Sequence, residues 1–482
     1  MSKAKRVLVT GNFNVLHAGH LRLFKFAKEC GERFLVGVHS DRIAGEGSYV
    51  PEALRLENVQ SNSWVDEAFL ADEPIADVIA RVRPDIVVKG KEHESRFNPE
   101  LAALDQYGGR LLFSSGETVF SSIDLIRRSF YEPVVHGIEI PHDFLARHNT
   151  EVAKLASIIN QFSKLKVCVV GDLIVDEYIT CQPLGMSQED PTIVVTPIDA
   201  TRFLGGAAIV AAHAAGLGAS VQLISVAGID ASRDFAAKGL AQAGVNAHLL
   251  IDESRPTTLK QRYRSQGKSL LRVSYLHQGA ISLGLQNQML ALVEQALENT
   301  DVLVFSDFNY GCLPQLLVDK IAALAKIRGV MLAADSQSSS QLGNISRFQS
   351  MDLICPTERE ARISTRNRED GLVVLTEQLR AQAHAKNILL KLGEEGLLIH
   401  TGTGDTDSWL TDRVGTLNSY PKDVAGAGDS LLIASALTLV AGGSIWEAAA
   451  MGSIAAAVQV GRVGNTPLHA QELLKELNEF RD

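Results

Sequence analysis

The chain has 482 residues and a mass of 52.1 kDa, with 46% hydrophobic and 21% charged residues. That is long enough for two or three domains with real cores, and too apolar for a disordered chain. Forty-six Lys and Arg against 56 Asp and Glu leave a net charge of −10. This argues against nucleic acid or an anionic membrane as partners over the whole surface, while leaving room for a local basic pocket that takes phosphates.

The five cysteines are Cys30, Cys168, Cys181, Cys312 and Cys355, widely spaced and without a CxxC pair. No disulfide framework or structural zinc site is expected, and a reducing cytoplasmic location is. The N-terminus, MSKAKRVLVTGNF, carries no apolar stretch of signal-peptide length. The most membrane-like run, residues 431–440, falls short of the roughly 20 residues a span needs and reads better as a buried helix.

Residues 6–10 (RVLVT), 33–38 (RFLVGV), 85–88 (DIVV) and 110–113 (RLLF) are short, apolar and rich in β-branched or aromatic residues. Such runs predict buried parallel strands, and residues 21–29 and 101–107 predict helices between them. The first 130 residues therefore predict a small doubly wound α/β domain.

Its first strand leads into GNFNVLHAGH, residues 11–20. A helix that opens there offers unpaired amides and a partial positive charge, which attract anions. His17 and His20, three apart, share one helical face. They suit the α-phosphate of a nucleotide and the charge that develops as pyrophosphate leaves. Two surface histidines beside a cap, or a partial zinc site, are the other readings of the bare motif.

The run of motifs around it resembles the HxGH nucleotidyltransferases of the cytidylyltransferase group. The similarity runs through HAGH, VGVHSD (36–41), Arg55 in PEALRLENV, PDIVVKG (84–90) and VFSSIDLIRR (119–128). It implies that His17 and His20 are catalytic and contact the triphosphate of ATP or CTP. By the same resemblance Gly11, Asn12, Phe13, Lys89 and Gly90 lie at the nucleotide. Ser121, Ser122 and Arg127 would form a closing phosphate loop. Two positions depart from the pattern: Asn12 stands where a small Ser, Thr or Cys is usual, and Asn14 where an Asp is usual.

Residues 131–164 break the alternation with Pro133 and Pro141, then a polar helical stretch. They predict a linker and a bridging helix. A second alternation starts at residues 166–171 (KVCVVG) and continues through 221–226, 301–305, 330–334 and 388–391 to two Ala-rich helices. Residues 165–482 predict one larger α/β domain.

Near its end, DVAGAGDS (423–430) precedes an apolar helix. Gly426, Ala427 and Gly428 expose successive amides to an anion, and Asp429 stands where a carboxylate can take a hydroxyl proton. Positioning, a metal and a base are most of what phosphoryl transfer needs. An Asp beside a helix start, with glycines for packing, is the plainer reading.

Residues 166–466 resemble the ribokinase-like (PfkB) sugar kinases, from Gly205-Gly206 through AAGLGA, VAGID, SDFNYG (306–311), AADSQ (333–337), CPTERE (355–360) and KLGEEG (391–396) to DVAGAGDS. The resemblance implies Asp429 as catalytic base and an anion hole at Ala427 and Gly428. It places Lys391 and Gly393 at the nucleotide pocket, with Glu360 organising Mg²⁺ through water beside ATP.

GDLIVDEY (171–178), MSQEDPTIVV (186–195) and TTLKQRYRSQGKSLLRV (257–273) are similar to the heptose 7-phosphate kinase branch. That implies a β-lid built from residues 178–198 and 257–275, often a homodimer contact in this family. Asp172, Asp176, Gly205 and Gly206 become sugar contacts. Lys260, Arg262 and Arg264 alternate along one strand face, where the substrate's own phosphate would meet them; a solvated strand face is the alternative. Ile209 and Thr357 each replace an asparagine of that branch.

A sugar kinase joined to a nucleotidyltransferase resembles the bifunctional enzymes of ADP-heptose synthesis, with the order of the two domains reversed. Two live activities on sugar phosphates and nucleotides, one live domain beside a binding domain, and a non-enzymatic sugar-phosphate sensor are the three readings. Retention of Asp429 counts against the sensor.

Overall fold

The computed structural model describes residues 5–16, 18–90, 98–114, 138–265, 268–337, 343–402 and 409–478. It divides the chain into two units, Met1–Val135 and His136–Asp482.

The first unit holds β1 (Arg6–Gly11), β2 (Arg33–His39), β3 (Glu67–Ala71), β4 (Ile86–Gly90) and β5 (Arg110–Ser114). They form one parallel sheet in the order β3-β2-β1-β4-β5. Alternation along β1 explains why the run is apolar throughout. Val7 and Val9 pack with Phe24 and Phe34 on one face, and Leu8 packs with Leu35, Ile79 and Leu104 on the other. The strand β3 has no counterpart in the sequence reading. It is a five-residue edge strand, EAFLA, whose Glu67 pairs with Arg33 at the rim, so it lacks the apolar signature of the inner strands. The strand order reverses direction between β1 and β4, so their carboxyl ends flank a crevice of the kind that takes ligands in such sheets.

Among the described residues the second unit holds thirteen strands. They are β6 (Lys166–Gly171), β7 (Leu173–Met186), β8 (Ile193–Gly206), β9 (Ser220–Ala227), β10 (Asn246–Ile251), β11 (Thr258–Ser265), β12 (Lys268–Tyr275), β13 (Val302–Asp307), β14 (Met331–Ser336), β15 (Leu353–Ile354), β16 (Asn387–Lys391), β17 (Leu397–Gly402) and β18 (Trp409–Val414). Nine of them form a sheet in the order β10-β9-β6-β13-β14-β15-β16-β17-β18, parallel as far as β16 and antiparallel at its last two strands. The other four, β12-β11-β7-β8, form a separate sheet. This is the lid expected from residues 178–198 and 257–275, with longer strands on its first hairpin. The strand order reverses between β6 and β13, and again the carboxyl ends of the strands open a crevice.

The helices Ala427–Val440 and Ile445–Val460 are buried along almost their whole length, which explains their Ala-rich apolar sequences. The run at 431–440 is thus a core helix, and among the described residues no helix is long and apolar enough to cross a membrane.

Residues 138–164 correct one expectation. They are not a bridge, because Phe144, Leu145, Leu155, Ile158, Ile159 and Phe162 are buried in the same core as the helix Ile445–Val460. The helix Val152–Gln161 looks polar in sequence because Lys154, Ser157 and Asn160 alternate with that apolar stripe. Residues 131–137 lie outside the described residues.

Candidate active sites

In the first unit β1 ends at Gly11, and the chain enters the helix Ala18–Glu29 through Asn12, Phe13 and Asn14. Phe13 takes a left-handed φ of 49°. Its ring is buried against His20 and Phe24, with centroids 5.1 and 5.3 Å away, so at this turn the backbone rather than the ring faces the crevice. His20 stands in the first turn of the helix with Nδ1 3.2 Å from Val15 O. His17 lies outside the described residues, as do Ser121, Ser122 and Arg127. The sequence-based expectations for those four remain expectations.

Asn12 and Asn14 both have hydrogen-bonding tasks in this unit. Asn14 is buried; its Nδ2 donates to Gly47 O at 2.8 Å, and its Oδ1 accepts from Tyr49 N at 2.9 Å. Asn12 Nδ2 donates to the same carbonyl at 3.3 Å, and its Oδ1 is 2.8 Å from His39 Nδ1. Burial, and then the nearby Arg55 charge, hold the His39 pKa below its ordinary value, so neutral His39 donates that bond. Arg55 is fully buried and donates to Val50 O, Asn12 O and His39 O, and to Asp41 Oδ1 at 2.5 Å. Two amides and one guanidinium thereby pin residues 47–50 over the end of β1.

A carboxylate at position 14 has no proton to give Gly47 O. Asn14→Asp is therefore expected to lower the unfolding free energy of the first unit by about 1–3 kcal/mol at neutral pH, read as a lower urea midpoint in its own unfolding transition. An unchanged midpoint would remove this role.

Lys89, expected at the nucleotide, does stand at the carboxyl end of β4 beside Gly90, but its Nζ is held 2.8 Å from Glu100 Oε1. Any contact it makes with a phosphate competes with that pair.

In the second unit the carboxyl ends of β6, β13, β14 and β16 bring together residues that are far apart in sequence. Asp429 sits in the first turn of the helix Ala427–Val440, after Gly426 at φ 77°. That angle suits glycine, and a Cβ there would meet Asn465 Oδ1 at 2.5 Å. Asp429 is buried, and Gln337 Nε2 donates to its Oδ1 at 3.2 Å. Burial, and then the Asp335 charge, push its pKa up to about 7, while Lys391 works in the opposite direction. A carboxylate tuned to that range can accept a proton near neutral pH.

Asp176 comes from the first lid strand and is also buried. Asn465 Nδ2 donates to its Oδ2 at 3.3 Å, and Arg262 lies 3.7 Å from its Oδ1, an atom with no hydrogen-bond partner. Burial raises its pKa, against the pull of Arg262 and Lys260. Gly205 on the neighbouring strand leaves the space this carboxylate occupies, since a Cβ there would collide with Oδ2. Gly206 caps the following helix with φ 55°.

Asp172 is buried and has a structural task as well. Its carboxylate accepts from the backbone amides of Phe308 at 2.7 Å, Cys312 at 3.3 Å and Tyr310 at 3.4 Å. Through these amides it shapes the loop after β13. Ile209 is buried in the main core and does not line the cleft, so its departure from asparagine costs no sugar contact here. Thr357 caps the helix Glu358–Thr365: Thr357 Oγ1 accepts from Glu360 N, and Glu360 Oε2 accepts from Thr357 N at 2.7 Å. This fixes Glu360 at the end of the cleft. Gly393 forms the turn after β16, with φ 63°.

The three cations of β11 share one face, as alternation requires, beside Asp176 and Tyr178 of β7. They are not stacked against one another. Lys260 lies over the rings of Phe308 and Tyr310, at 4.6 and 5.1 Å. Arg262 and Arg264 both lie over Tyr178, and Arg264 is 3.6 Å from Asp423 Oδ2. Arg272 is opposite Arg262 in the ladder and joins the same face. Among the described residues these four cations meet Asp176, Asp423 and, through Lys260, Asp429, which leaves the face positive.

Sequence reasoning named AADSQ without giving its residues tasks, and it missed Asn465 altogether. Asp335 pairs with Lys391 at 2.7 Å and Gln337 reaches Asp429. Asp335 lies at the carboxyl end of the apolar strand β14 and Gln337 just after it, which is the signal that marks them.

The family model described as pfkB family carbohydrate kinase matches residues 164–471. The chain belongs to the pfkB family. A second model, described as cytidylyltransferase-like, matches residues 8–113. Among curated proteins this pfkB-family chain is 32% identical to the bifunctional protein HldE of Shewanella baltica (strain OS155 / ATCC BAA-1091) over 319 residues, 66% of this chain. It is 29% identical to the protein of the same name from Desulfatibacillum aliphaticivorans over 325 residues, 67% of this chain. The matches span 64% and 65% of those relatives' length.

Among solved structures it is similar to phosphofructokinase-2 from Escherichia coli in complex with substrates and products, with a TM-score of 0.53 and 18% identity. That match covers 66% of this chain and all of the other. It is similar as well to Arabidopsis thaliana ribokinase complexed with ribose and ATP, with a TM-score of 0.51 and 20% identity, covering 65% and 98%. At those identities the likeness speaks for the fold.

Proposed function

We propose that the chain is a bifunctional enzyme of nucleotide-sugar synthesis. Its second unit transfers the γ-phosphoryl of ATP to the anomeric hydroxyl of a sugar phosphate of the heptose 7-phosphate type. Its first unit joins a sugar 1-phosphate to the nucleotidyl group of ATP or CTP and releases pyrophosphate. The observation that carries the kinase reading is the pairing of a buried, upward-shifted Asp429 at a helix N-terminus with a buried Asp176 whose Oδ1 has no hydrogen-bond partner. Asp176 would hold the sugar hydroxyls, and Asp429 would take the proton from the attacking oxygen. The amides of Ala427 and Gly428 would receive the phosphoryl oxygens.

Mg²⁺ is implied by the family. Among the described residues no three His, Cys, Asp or Glu side chains converge as a direct metal site. Asp335 Oδ1 is buried without a partner, and Asp335 and Glu360 both act on Lys391. That oxygen-only donor set suits Mg²⁺ held through water. When bound, the ion would neutralise charge on the phosphates.

The positive face made by Lys260, Arg262, Arg264 and Arg272 supports a phosphorylated sugar. The expected result is a kcat/KM for the sugar phosphate well above that for the free sugar, with Arg264→Ala raising KM for the former by about tenfold. Equal kcat/KM for the two substrates in the wild type would overturn this choice of substrate. Exposed Leu184, Met186, Ile193 and Ile198 on the lid strands support a second copy of the chain as partner there.

For the first unit, His20→Ala is expected to abolish pyrophosphate release while kinase turnover stays unchanged, since the two sites belong to separate units. Retained nucleotidyl transfer in that variant would favour another role for the domain. The pinning of residues 47–50 by Asn12 and Asn14 favours a second reading, in which the first unit binds a nucleotide without turning it over. Nucleotide binding with no pyrophosphate release from any sugar 1-phosphate would select it.

A further inference from the structure

Resemblance puts Lys391 only in the neighbourhood of the nucleotide, whereas its surroundings are more specific. It closes β16, and its Nζ lies 2.7 Å from Asp335 Oδ2 at the end of β14. The side chains are 14% and 3% exposed. A buried pair of this kind contributes little net stability compared with an apolar pair of similar volume, so stability is a weak reason for a lysine there. Its position is a stronger one. A Cβ on Gly428 would lie 3.2 Å from Lys391 Nζ and 3.9 Å from Asp335 Oδ2.

Gly428 belongs to the first turn of the helix Ala427–Val440, where Ala427 N reaches Val424 O at 3.4 Å and Ser430 N bonds Gly426 O at 3.0 Å, while the amides of Gly428 and Asp429 have no helical carbonyl ahead of them. The ammonium and those amides therefore face one small volume, which a glycine leaves open. The remaining oxygen of the holder, Asp335 Oδ1, is buried without a partner in the same place. The backbone of Lys391 is fixed as well, since its N donates to Pro356 O at 2.8 Å.

We propose that Lys391 is a catalytic residue of the second unit: its ammonium, oriented by Asp335, binds the oxygens of the phosphoryl group in transit from ATP to the sugar. The proposal rests on the kinase reading and adds a residue to it. The bond from the sugar oxygen to the γ-phosphorus forms, and the bond from that phosphorus to the β,γ-bridging oxygen breaks. ADP leaves with the electron pair, and the hydroxyl proton goes to Asp429. Lys391 keeps its proton throughout. The charges acting on Asp429 are Asp335 and Asp176, which raise its pKa, and Lys391 and Lys260, which lower it.

The test uses the full chain with saturating sugar phosphate, comparing K391Q and K391R with the wild type. Glutamine still offers Asp335 a donor but carries no charge. Removing one preorganised donor to a developing charge typically costs about 10²–10³ in kcat. K391Q is therefore expected to lose about that much kcat with KM for ATP within about threefold. Its acid limb should move to higher pH as Asp429 loses a neighbouring cation, and K391R should recover a tenth or more of the wild-type kcat. A folded K391Q with kcat within threefold of the wild type, or with an unmoved acid limb, would overturn the proposal. Should K391Q fail to fold by circular dichroism, K391R decides. A kcat within about tenfold of the wild type supports a role for the charge, and a fall below a hundredth overturns it. A wild-type chain that phosphorylates no sugar phosphate would instead sink the kinase reading, and is told apart by the absence of any activity to compare.

Discussion

Asp429→Asn is expected to lower kinase kcat by about 10²–10⁴, the range over which a positioned general base contributes, while binding of an ATP analogue stays nearly unchanged. The amide has the shape of the carboxylate and can still accept from Gln337, so the cleft should keep its form. What it cannot do is take the hydroxyl proton. The pH dependence has a definite sign. A base works when ionised, and burial with Asp335 nearby pushes the Asp429 pKa up to about 7. Turnover should therefore fall as pH drops through about 7 and level off above it. The Asn variant should show a low rate without that limb. A kcat near wild type, or a limb that persists in the variant, would remove Asp429 from the role of base.

Asp176→Asn is expected to have the next largest effect, a loss of about 10- to 100-fold in kcat/KM for the sugar. A hydrogen bond to a charged group contributes about 1.5–3 kcal/mol, which converts to that range. Asp176 Oδ1 is buried with no hydrogen-bond partner, Arg262 standing 3.7 Å away, so a sugar hydroxyl would supply the hydrogen bond it lacks. The substitution also takes a negative charge away from Arg262 and leaves the lid face more positive. The loss should fall on the sugar and not on ATP. An unchanged KM for the sugar, or an equal rise in KM for ATP, would contradict this placement.

Much of the fold was legible because its inner strands are apolar on both faces. Residues 6–10 and 166–171 could be read from composition alone for that reason. The strand β3 could not, since EAFLA is an edge strand with a charged end. The helix Val152–Gln161 was misplaced because its polar residues draw the eye, while its apolar stripe docks on a partner almost 300 residues later in the chain.

The site divides along the same line. Asp429 and its glycines are contiguous, and Lys260, Arg262 and Arg264 follow strand alternation, so both groups were readable. Asn465, Asp335 and Gln337 become neighbours of those residues only when β14 and the C-terminal loop reach the cleft. The loop-shaping task of Asp172 was not legible, because an aspartate beside a glycine at a strand end looks free to bind a ligand. Only the folded loop shows three amides claiming it.

The most direct measurement of the central claim is phosphorus NMR of the intact chain incubated with ATP, Mg²⁺ and heptose 7-phosphate. The account predicts a new anomeric phosphate resonance that grows in step with ADP, coupled to the anomeric proton, and absent with Asp429→Asn. No such resonance in the wild type, or an equal one in the variant, would contradict it.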